Sequence, residues 1–179
     1  KAKGEIYSGL QSSGTAIINA DDEYADFWKN ICNEINKVTF GIKSKNADVR
    51  AEKIKSSIDD LSTEFTLISD KESIEICLPI FGEHNVMNAL AAAACCASLD
   101  ISLRAIKNGL ENMKTIKGRL EIKIGKGQVR IIDDTYNANP VSLNAAVKAL
   151  CSFDGAHYIV LGDMGELGGK AKKFHKEVG

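Results

Sequence analysis

The sequence predicts an α/β fold shared between two partial domains that join near residues 114–118. Near its beginning, a strand–helix–strand order favours a parallel sheet with a crossover helix. An alanine-rich helical stretch occupies the middle of the chain, and a second strand–helix pattern follows it. A length of 179 residues allows one full domain or two small or partial ones. The order of these elements favours two partial domains.

The first half of the chain alternates between strand and helix patterns. Thr15–Asn19 is a β-branched apolar run that predicts a buried strand. Apolar residues then recur at helical spacing over residues 24–35, and the run at 37–40 predicts the next strand. Over residues 65–78 apolar and polar side chains alternate. This alternation predicts an antiparallel hairpin with one buried face, ended by Pro79.

Two helices follow the hairpin and lead to the predicted domain boundary. Residues 86–99 are rich in alanine, the best helix former, and their small side chains suggest close packing against other elements. Ser102 can cap a second helix that runs to about residue 113. The two together predict a helical hairpin.

The second half of the chain begins with another predicted hairpin, over residues 120–133. Asn139 and Pro140 are suited to the N-cap and the first position of a helix. A fully apolar strand is predicted at residues 158–161. A glycine-rich loop at 162–169 and the start of another helix follow it.

Composition argues against several classes of protein. Lysine and arginine total 23 against 24 aspartate and glutamate residues, so no dominant nucleic-acid-binding surface is expected. No apolar run approaches the roughly 20 residues of a membrane helix, so no membrane insertion is expected. The five cysteines form no CxxC or Cys/His metal pattern, which fits a reducing cytoplasm. Because the chain starts at Lys1 without a methionine, we expect it to be a piece of a longer protein.

Asn85 and Asn88 are the first candidate binding residues, at the start of the alanine-rich helix. Because they are three residues apart, they can face the same side of a helix. Carboxamides offer both donors and acceptors, which suits the edge of a purine base. The alternative is a helix cap at one position and an ordinary surface amide at the other.

Two further segments, near the two ends of the second predicted hairpin, carry charged candidates. Arg119, next to a glycine, can reach a phosphate with its planar fork of donors, or it forms an interdomain salt bridge. Asp133 and Asp134 follow an apolar strand, at the sheet edge where α/β folds bind ligands. There a carboxylate can bind ribose hydroxyls or polarise an amine, and the same residues also make ordinary turns.

The sequence contains no recognised phosphate-binding loop. The glycine-rich loop at residues 162–169 is not the GxGxxG dinucleotide fingerprint, and no GxxxxGK[ST] motif occurs. His157 and His175 are single histidines outside any ligand pattern. We expect structural or surface roles for both.

Several segments together resemble the Mur ligase family, ATP-dependent amide-forming enzymes of bacterial cell-wall synthesis. These segments are GEHNVMNALAAAA, KGRLE and NADDE. Two others, IDDTYNANPVSLNAAV and VLGDMGELG, are similar to the branch of the family that adds D-Ala-D-Ala. The resemblance covers the whole chain, in order. It implies the later part of a central ATPase domain at residues 1–117 and the first part of a Rossmann-like C-terminal domain at residues 118–179.

The resemblance also implies roles for individual residues. Asn85 and Asn88 match the adenine-side asparagines, and Asp134 matches the aspartate that contacts the ribose. Arg119 matches the arginine that reaches ATP from the domain junction. Lys3 matches a lysine that is carbamylated in the family and could then help to hold Mg²⁺. Lys3 and Arg119 are the implied catalytic residues. The remaining candidates, on the substrate side, are Asp133, Tyr136, Asn137 and Asn139.

The implied reaction uses ATP and Mg²⁺ to join D-Ala-D-Ala to UDP-N-acetylmuramoyl-tripeptide through an acyl phosphate. A cytoplasmic monomer that acts on these small molecules is expected, without nucleic acid or membrane partners. Because the phosphate loop of the family would precede Lys1, we expect the chain to be inactive alone. One alternative is another Mur-type or folylpolyglutamate-like ligase that adds a different amine. Another is a stand-alone nucleotide-binding or interaction module.

Overall fold

The computed structural model describes residues 4–57, 61–70, 72–114, 117–118, 121–151 and 153–178. The chain divides into two compact units, Lys1–Met113 and Lys114–Gly179, which we call the first and the second unit. Helices and strands occur in both units, so the predicted α/β class is confirmed.

The described part of the first unit is built on a sheet of five strands that lie in the order of the sequence. They are β1 (Thr15–Asn19), β2 (Asn36–Gly41), β3 (Val49–Ser57), β4 (Ser62–Ser69) and β5 (Glu72–Leu78). The β1–β2 and β2–β3 pairs are parallel, whereas the β3–β4 and β4–β5 pairs are antiparallel. The predicted parallel pair and the predicted hairpin are therefore confirmed, within a sheet that is mixed.

Strand β3 is absent from the sequence prediction because its side-chain pattern is broken. Val49 and Ala51 at its start are buried. Its ladder with β4 then shifts register between Glu52 and Lys55, where Lys53 has a φ of 54°. Such a bulge disrupts the ladder and re-aims the side chains beyond it, so the simple alternation of apolar and polar residues is lost.

The helices of the first unit pack against this sheet. They are α1 (Glu5–Ser8), α2 (Ala25–Ile31), α3 (Glu83–Ala97) and α4 (Leu103–Glu111). The predicted alanine-rich helix is confirmed as α3, whose Val86 and Leu90 are fully buried in the core with Leu67 of β4. The predicted cap of α4 is also confirmed, because Ser102 Oγ accepts a hydrogen bond from the Ala105 amide at 3.4 Å.

Helix α2 ends at Ile31, earlier than the helical spacing predicts. The Lys37 ammonium donates hydrogen bonds to three backbone carbonyls just beyond this end. They belong to Cys32, Asn33 and Ile35, at 2.9, 3.3 and 3.3 Å. The lysine therefore ties together the turn that follows the helix, in which the Cys32 carbonyl also accepts from the Ile35 amide at 3.1 Å.

Helix α4 protects the outer edge of β5. Lys107 Nζ donates to the Glu75 carbonyl at 2.6 Å, and Glu111 Oε1 accepts from the Cys77 amide at 2.8 Å. Lys107 and Glu111 also form an ion pair along the helix. Because unpaired edge groups invite the addition of a foreign strand, this pair of side chains shields that edge.

Asp21 fixes the loop that follows β2. Its carboxylate accepts backbone hydrogen bonds from Ile42, Lys43 and Ser44 at 2.7, 2.9 and 2.8 Å. Gly41 leaves room for it, because a Cβ there would lie 2.8 Å from Asp21 Oδ1. Desolvation by burial raises the pKa of Asp21, but the three backbone hydrogen bonds and the Lys43 charge outweigh it. The pKa of Asp21 therefore lies below its ordinary 3.8.

Replacing Asp21 with asparagine should lower the free energy of unfolding by about 1–2 kcal/mol at neutral pH, because the charged acceptor of three amides is lost. Since the folded pKa is depressed, this contribution is fully present above the unfolded value near 3.8 and is lost as the pH falls through the folded pKa. Urea denaturation followed by Trp28 fluorescence at neutral and acidic pH measures both effects. Asp22→Asn is the control, since its exposed carboxylate accepts one described hydrogen bond, from Tyr24. An equal loss in both variants would contradict the prediction.

The second unit begins with an antiparallel hairpin, as predicted. Its elements are β6 (Glu121–Ile124), β7 (Arg130–Asp133), α5 (Pro140–Cys151) and α6 (Ala171–Val178). Asn139 caps α5, as predicted, because its Oδ1 accepts from the amides of Val141 and Ser142 at 3.0 and 2.9 Å. The Asn139 amide in turn donates to Ser142 Oγ at 3.1 Å. This reciprocal pairing fixes the start of α5.

The strand predicted at residues 158–161 is wrong. The segment belongs to no strand, and its side chains are exposed, Tyr158 to 85% and Val160 to 100%. A strand forms only where a neighbouring strand pairs with its backbone amides and carbonyls. Within the described ranges no strand pairs with this segment, so its apolar character alone does not produce one.

None of the helices in the described part of the chain is long and apolar enough to cross a membrane. The five cysteines are free thiols. Cys32 is fully buried, and desolvation raises the pKa of its thiol against the opposing effect of Lys37. That thiol therefore stays protonated and acts as a small core residue.

Candidate functional site

The N-terminus of α3 carries the first candidate pair. Gly82 is the N-cap of the helix, with a φ of 108° and a ψ of 143°, a conformation open to glycine and strained for other residues. Its amide donates to the buried Thr63 Oγ1 at 3.0 Å. A Cβ at position 82 would lie 2.8 Å from the His84 ring. A glycine and a buried hydroxyl therefore fix the backbone where this helix starts.

Asn85 and Asn88 lie on the first two turns of α3. Asn85 is half-buried, and its Nδ2 donates to the Phe81 carbonyl at 2.9 Å, whereas Asn88 is exposed. No described residue donates a hydrogen bond to either carboxamide oxygen. Asn85 is not a helix cap, because Gly82 holds that position without a side-chain hydrogen bond. The two amides thus present acceptors one helical turn apart.

In the second unit, Gly118, which precedes the candidate Arg119, lies against the loop that follows β7. The Tyr136 amide donates to the Gly118 carbonyl at 2.9 Å. Gly118 is buried with a φ of 73°, and a Cβ there would lie 3.2 Å from the Tyr136 nitrogen and 3.3 Å from Thr135 Oγ1. Glycine is therefore needed at this position, both for its conformation and for the close approach. It joins residues 117–118 to the loop after β7.

A lysine pairs with two carboxylates beside this contact. Lys123 Nζ lies 2.5 Å from Asp133 Oδ2 and 3.2 Å from Glu121 Oε2. Asp133 also accepts from Thr135, from its hydroxyl at 2.7 Å and from its amide at 3.2 Å. The Lys123 hydrogen bond, followed by the Thr135 bonds, lowers the pKa of Asp133 from 3.8 to about 2. Asp133 is therefore an ionised carboxylate at the end of β7. Its hydrogen bonds with Thr135 order the loop that follows this strand.

Replacing Lys123 with methionine should raise the pKa of Asp133 toward its ordinary 3.8, because the first cause of the shift is removed. In the unchanged protein the contribution of Asp133 to stability is present above 3.8 and is lost as the pH falls toward about 2. The variant should lack most of that dependence. A carboxyl-carbon NMR titration of Asp133 measures the pKa, with Lys126→Met as the control at the hairpin turn. An unchanged Asp133 pKa in the Lys123 variant would contradict the assignment.

The other candidates in the second unit differ in their exposure and in the hydrogen bonds that their side chains make. Asp134 is half-buried, whereas Tyr136 and Asn137 are exposed. The carboxamide oxygen of Asn139 serves the cap of α5, and its Nδ2 donates to no described residue. Arg119, like Lys3 of the first unit, lies outside the described residues.

The glycine-rich loop at residues 162–169 is tied to α6 by His175. The Met164 amide donates to His175 Nε2 at 3.0 Å, and His175 Nδ1 donates to the Ala171 carbonyl at 2.9 Å. The two bonds are compatible with the tautomer in which Nδ1 carries the proton and Nε2 accepts. Met164 is buried. The expected structural role of His175 fits this arrangement.

Thr63 is a residue of this site that sequence reasoning missed. It begins the buried face of β4, where Phe65 and Leu67 are the next inward-facing residues. A polar residue at an inward position of an alternating strand is the signal that could have found it. The predicted alternation begins at residue 65, two positions after this threonine, and so leaves Thr63 out of that face.

Both units have recognisable relatives. Residues 1–96 match the family described as "Mur ligase middle domain", and residues 118–179 match "Mur ligase, glutamate ligase domain". The chain is 42% identical over 180 residues to the UDP-N-acetylmuramoyl-tripeptide–D-alanyl-D-alanine ligase of Escherichia coli (strain K12). That alignment covers 100% of this chain and 39% of the relative.

Solved structures of MurF enzymes are also similar to the chain. A crystal structure of MurF from Acinetobacter baumannii is similar with a TM-score of 0.90 at 37% identity, over 99% of this chain and 38% of that one. The MurF ligase from Thermotoga maritima in complex with ADP is similar with a TM-score of 0.81 at 27% identity, over 98% and 39%. The chain therefore spans about two fifths of the length of these relatives.

Proposed function

The chain belongs to the Mur ligase family, and on that premise we propose that the complete protein is an ATP-dependent amide-forming ligase of peptidoglycan precursor synthesis. It adds D-Ala-D-Ala to UDP-N-acetylmuramoyl-tripeptide. The observation that carries this proposal is the similarity to the Escherichia coli enzyme of that name along the whole of this chain. Within the family, residues 1–117 belong to the central domain and residues 118–179 to the C-terminal domain.

The reaction proceeds in two transfers. The terminal carboxylate of the tripeptide attacks the γ-phosphorus of ATP, so an acyl phosphate forms and ADP leaves. The amine of D-Ala-D-Ala then attacks the acyl carbon, and the tetrahedral intermediate expels phosphate as the nitrogen loses its proton. The protein contributes mainly by positioning the reactants and by stabilising charge.

We assign roles at the adenosine side of ATP to individual residues. Asn85 and Asn88 contact the adenine, since α3 presents their carboxamide oxygens without a described donor. Asp134 contacts the ribose, and Arg119 reaches the nucleotide from the segment that contains Gly118. We assign Tyr136, Asn137 and Asn139, which follow β7, to the substrate side of the site. Asp133 serves the loop after β7 indirectly, because Lys123 and Thr135 already occupy its carboxylate.

The described residues do not fit a Mg²⁺ site by themselves. They contain no cluster of three or more His, Cys, Asp or Glu side chains that could hold a metal ion. The carboxylates of Asp133 and Glu121 share Lys123 as their partner. We propose that Mg²⁺ is bound with a carbamylated Lys3, which lies outside the described residues, as one of its ligands.

The cellular setting belongs to the same proposal. Free thiols at all five cysteines support a reducing compartment, and we place the protein in the cytoplasm. We expect a monomer whose partners are small molecules, neither nucleic acid nor a membrane.

Release of ADP in a substrate-omission series tests the proposed function. The product of the complete reading frame should release ADP at a substantial rate only when UDP-N-acetylmuramoyl-tripeptide, D-Ala-D-Ala, ATP and Mg²⁺ are all present. No ADP release with any combination of these substrates would instead support a stand-alone nucleotide-binding or interaction module. Release that needs a different amine would support another Mur-type or folylpolyglutamate-like ligase.

A further inference from the structure

Thr63 is an unusual residue in the core of the first unit. Its relative exposure is 0%, and it is the polar side chain that the core buries completely among the described residues. Its neighbours on the same face, Phe65 and Leu67, are apolar. Valine would occupy nearly the same space without a hydroxyl to bury. A buried hydroxyl is favourable only where its hydrogen bonds are made.

The Thr63 hydroxyl joins three separate elements. Oγ1 lies 3.2 Å from Ser56 Oγ of β3 and accepts from the Gly82 amide, at the N-cap of α3, at 3.0 Å. Gly82 thereby has a hydrogen-bond partner for an amide that lacks one within the helix. Because β3 and β4 are paired over several residues on each side of a bulge, the hydroxyl ties the helix start to a rigid part of the sheet.

Further hydrogen bonds connect the Gly82 turn to the candidate adenine contacts. The Asn85 amide donates to the Gly82 carbonyl at 3.0 Å, and Asn85 Nδ2 donates to the Phe81 carbonyl at 2.9 Å. Asn85 therefore takes its position from the same turn that Thr63 holds. Asn88 follows one helical turn later, so a shift of the helix start displaces both carboxamides together.

We propose that Thr63 is a positioning residue for the adenine side of the ATP site, acting through Gly82 on Asn85 and Asn88. The inference rests on the proposed function. Thr63 does not itself touch the nucleotide. Its hydroxyl sets the place and direction of the turn on which the two carboxamides depend.

Steady-state kinetics of the complete protein test this role. Thr63→Val removes the hydroxyl, keeps the side-chain shape and leaves the Gly82 amide without its acceptor. The KM for ATP should rise about tenfold, since the half-buried Gly82 amide loses its acceptor and the turn is no longer held in place. The kcat and the KM for D-Ala-D-Ala should stay within about twofold, because a displaced adenine contact affects ground and transition states alike.

Two further variants separate positioning from stability. Thr63→Ser keeps the hydroxyl and should restore the KM for ATP even where the lost methyl group lowers the melting temperature. Thr66→Val makes the same change on the same strand, at a half-buried threonine whose hydroxyl bonds to no described residue. It should leave all constants unchanged. Thr63→Ala replaces the valine variant, under the same criteria, if that variant does not fold.

The outcomes distinguish this inference from the function on which it rests. A folded Thr63→Val protein with an unchanged KM for ATP would overturn the positioning role while the ligase assignment stands. An equal change in every constant, or no recovery with serine, would also overturn it, because general damage would then explain the loss. If the unchanged protein shows no ATP-dependent ligation, the proposed function fails first, and the inference fails with it.

Discussion

Replacing Gly82 with alanine should lower the free energy of unfolding by about 2–3 kcal/mol. The backbone at this position, with φ 108° and ψ 143°, is strained for any residue with a Cβ. The added Cβ would also lie 2.8 Å from the His84 ring, so the ring or the turn has to move. Because the Gly82 turn sets the start of α3, we also expect weaker ATP binding. Urea denaturation and calorimetric titration with ATP measure the two effects.

Gly109 provides a control at which the same replacement should change the free energy of unfolding in the opposite direction. It lies inside α4, and a Cβ there would meet no atom within 4 Å. Alanine at this position should raise the free energy of unfolding by about 0.5–1 kcal/mol, since it favours the helix and meets no obstacle. Two variants that change stability in the same direction would show that glycine content, rather than the geometry at Gly82, governs the result.

Replacing Asn88 with alanine should weaken ATP binding about five- to tenfold and leave the free energy of unfolding nearly unchanged. The side chain is exposed and makes no hydrogen bond to described residues, so its removal costs the fold little. Asn85→Ala should weaken ATP binding to a similar extent. It should also destabilise the protein, because the bond to the Phe81 carbonyl is lost. Calorimetric titration and urea denaturation separate the two cases.

Asn108→Ala is the matched control for Asn88→Ala. Asn108 is an exposed asparagine within α4, and its side chain likewise makes no hydrogen bond to described residues. Its replacement should leave ATP affinity unchanged. If Asn88→Ala had no larger effect on affinity than Asn108→Ala, Asn88 would lose its assignment to the adenine.

Local patterns predict those elements of the fold whose side-chain pattern is unbroken along their whole length. The apolar run of β1, the alternation in the β4–β5 hairpin and the alanine-rich α3 are examples. The prediction fails at β3, because a bulge at Lys53 breaks the alternation. It also fails at residues 158–161, because an apolar run shows what a segment could bury and not whether a partner strand is present.

The sequence predicts which segments form the candidate site, but not how their residues are arranged in space. The asparagine pair and the two charged segments are visible in the sequence. Their surroundings depend on long-range contacts that no spacing rule contains, such as the hydrogen bond between Gly118 and Tyr136. Thr63 shows the same limit, since Gly82, which it binds, is 19 residues away.

Mass spectrometry of the product formed from competing amines tests the D-Ala-D-Ala assignment most directly. The complete protein receives ATP, Mg²⁺ and UDP-N-acetylmuramoyl-tripeptide together with equal amounts of D-Ala-D-Ala, L-alanine and glutamate. We predict that the tripeptide is extended by D-Ala-D-Ala, with one ADP released for each amide bond formed. Extension by another amine alone, or ADP release without a new amide, would contradict the assignment.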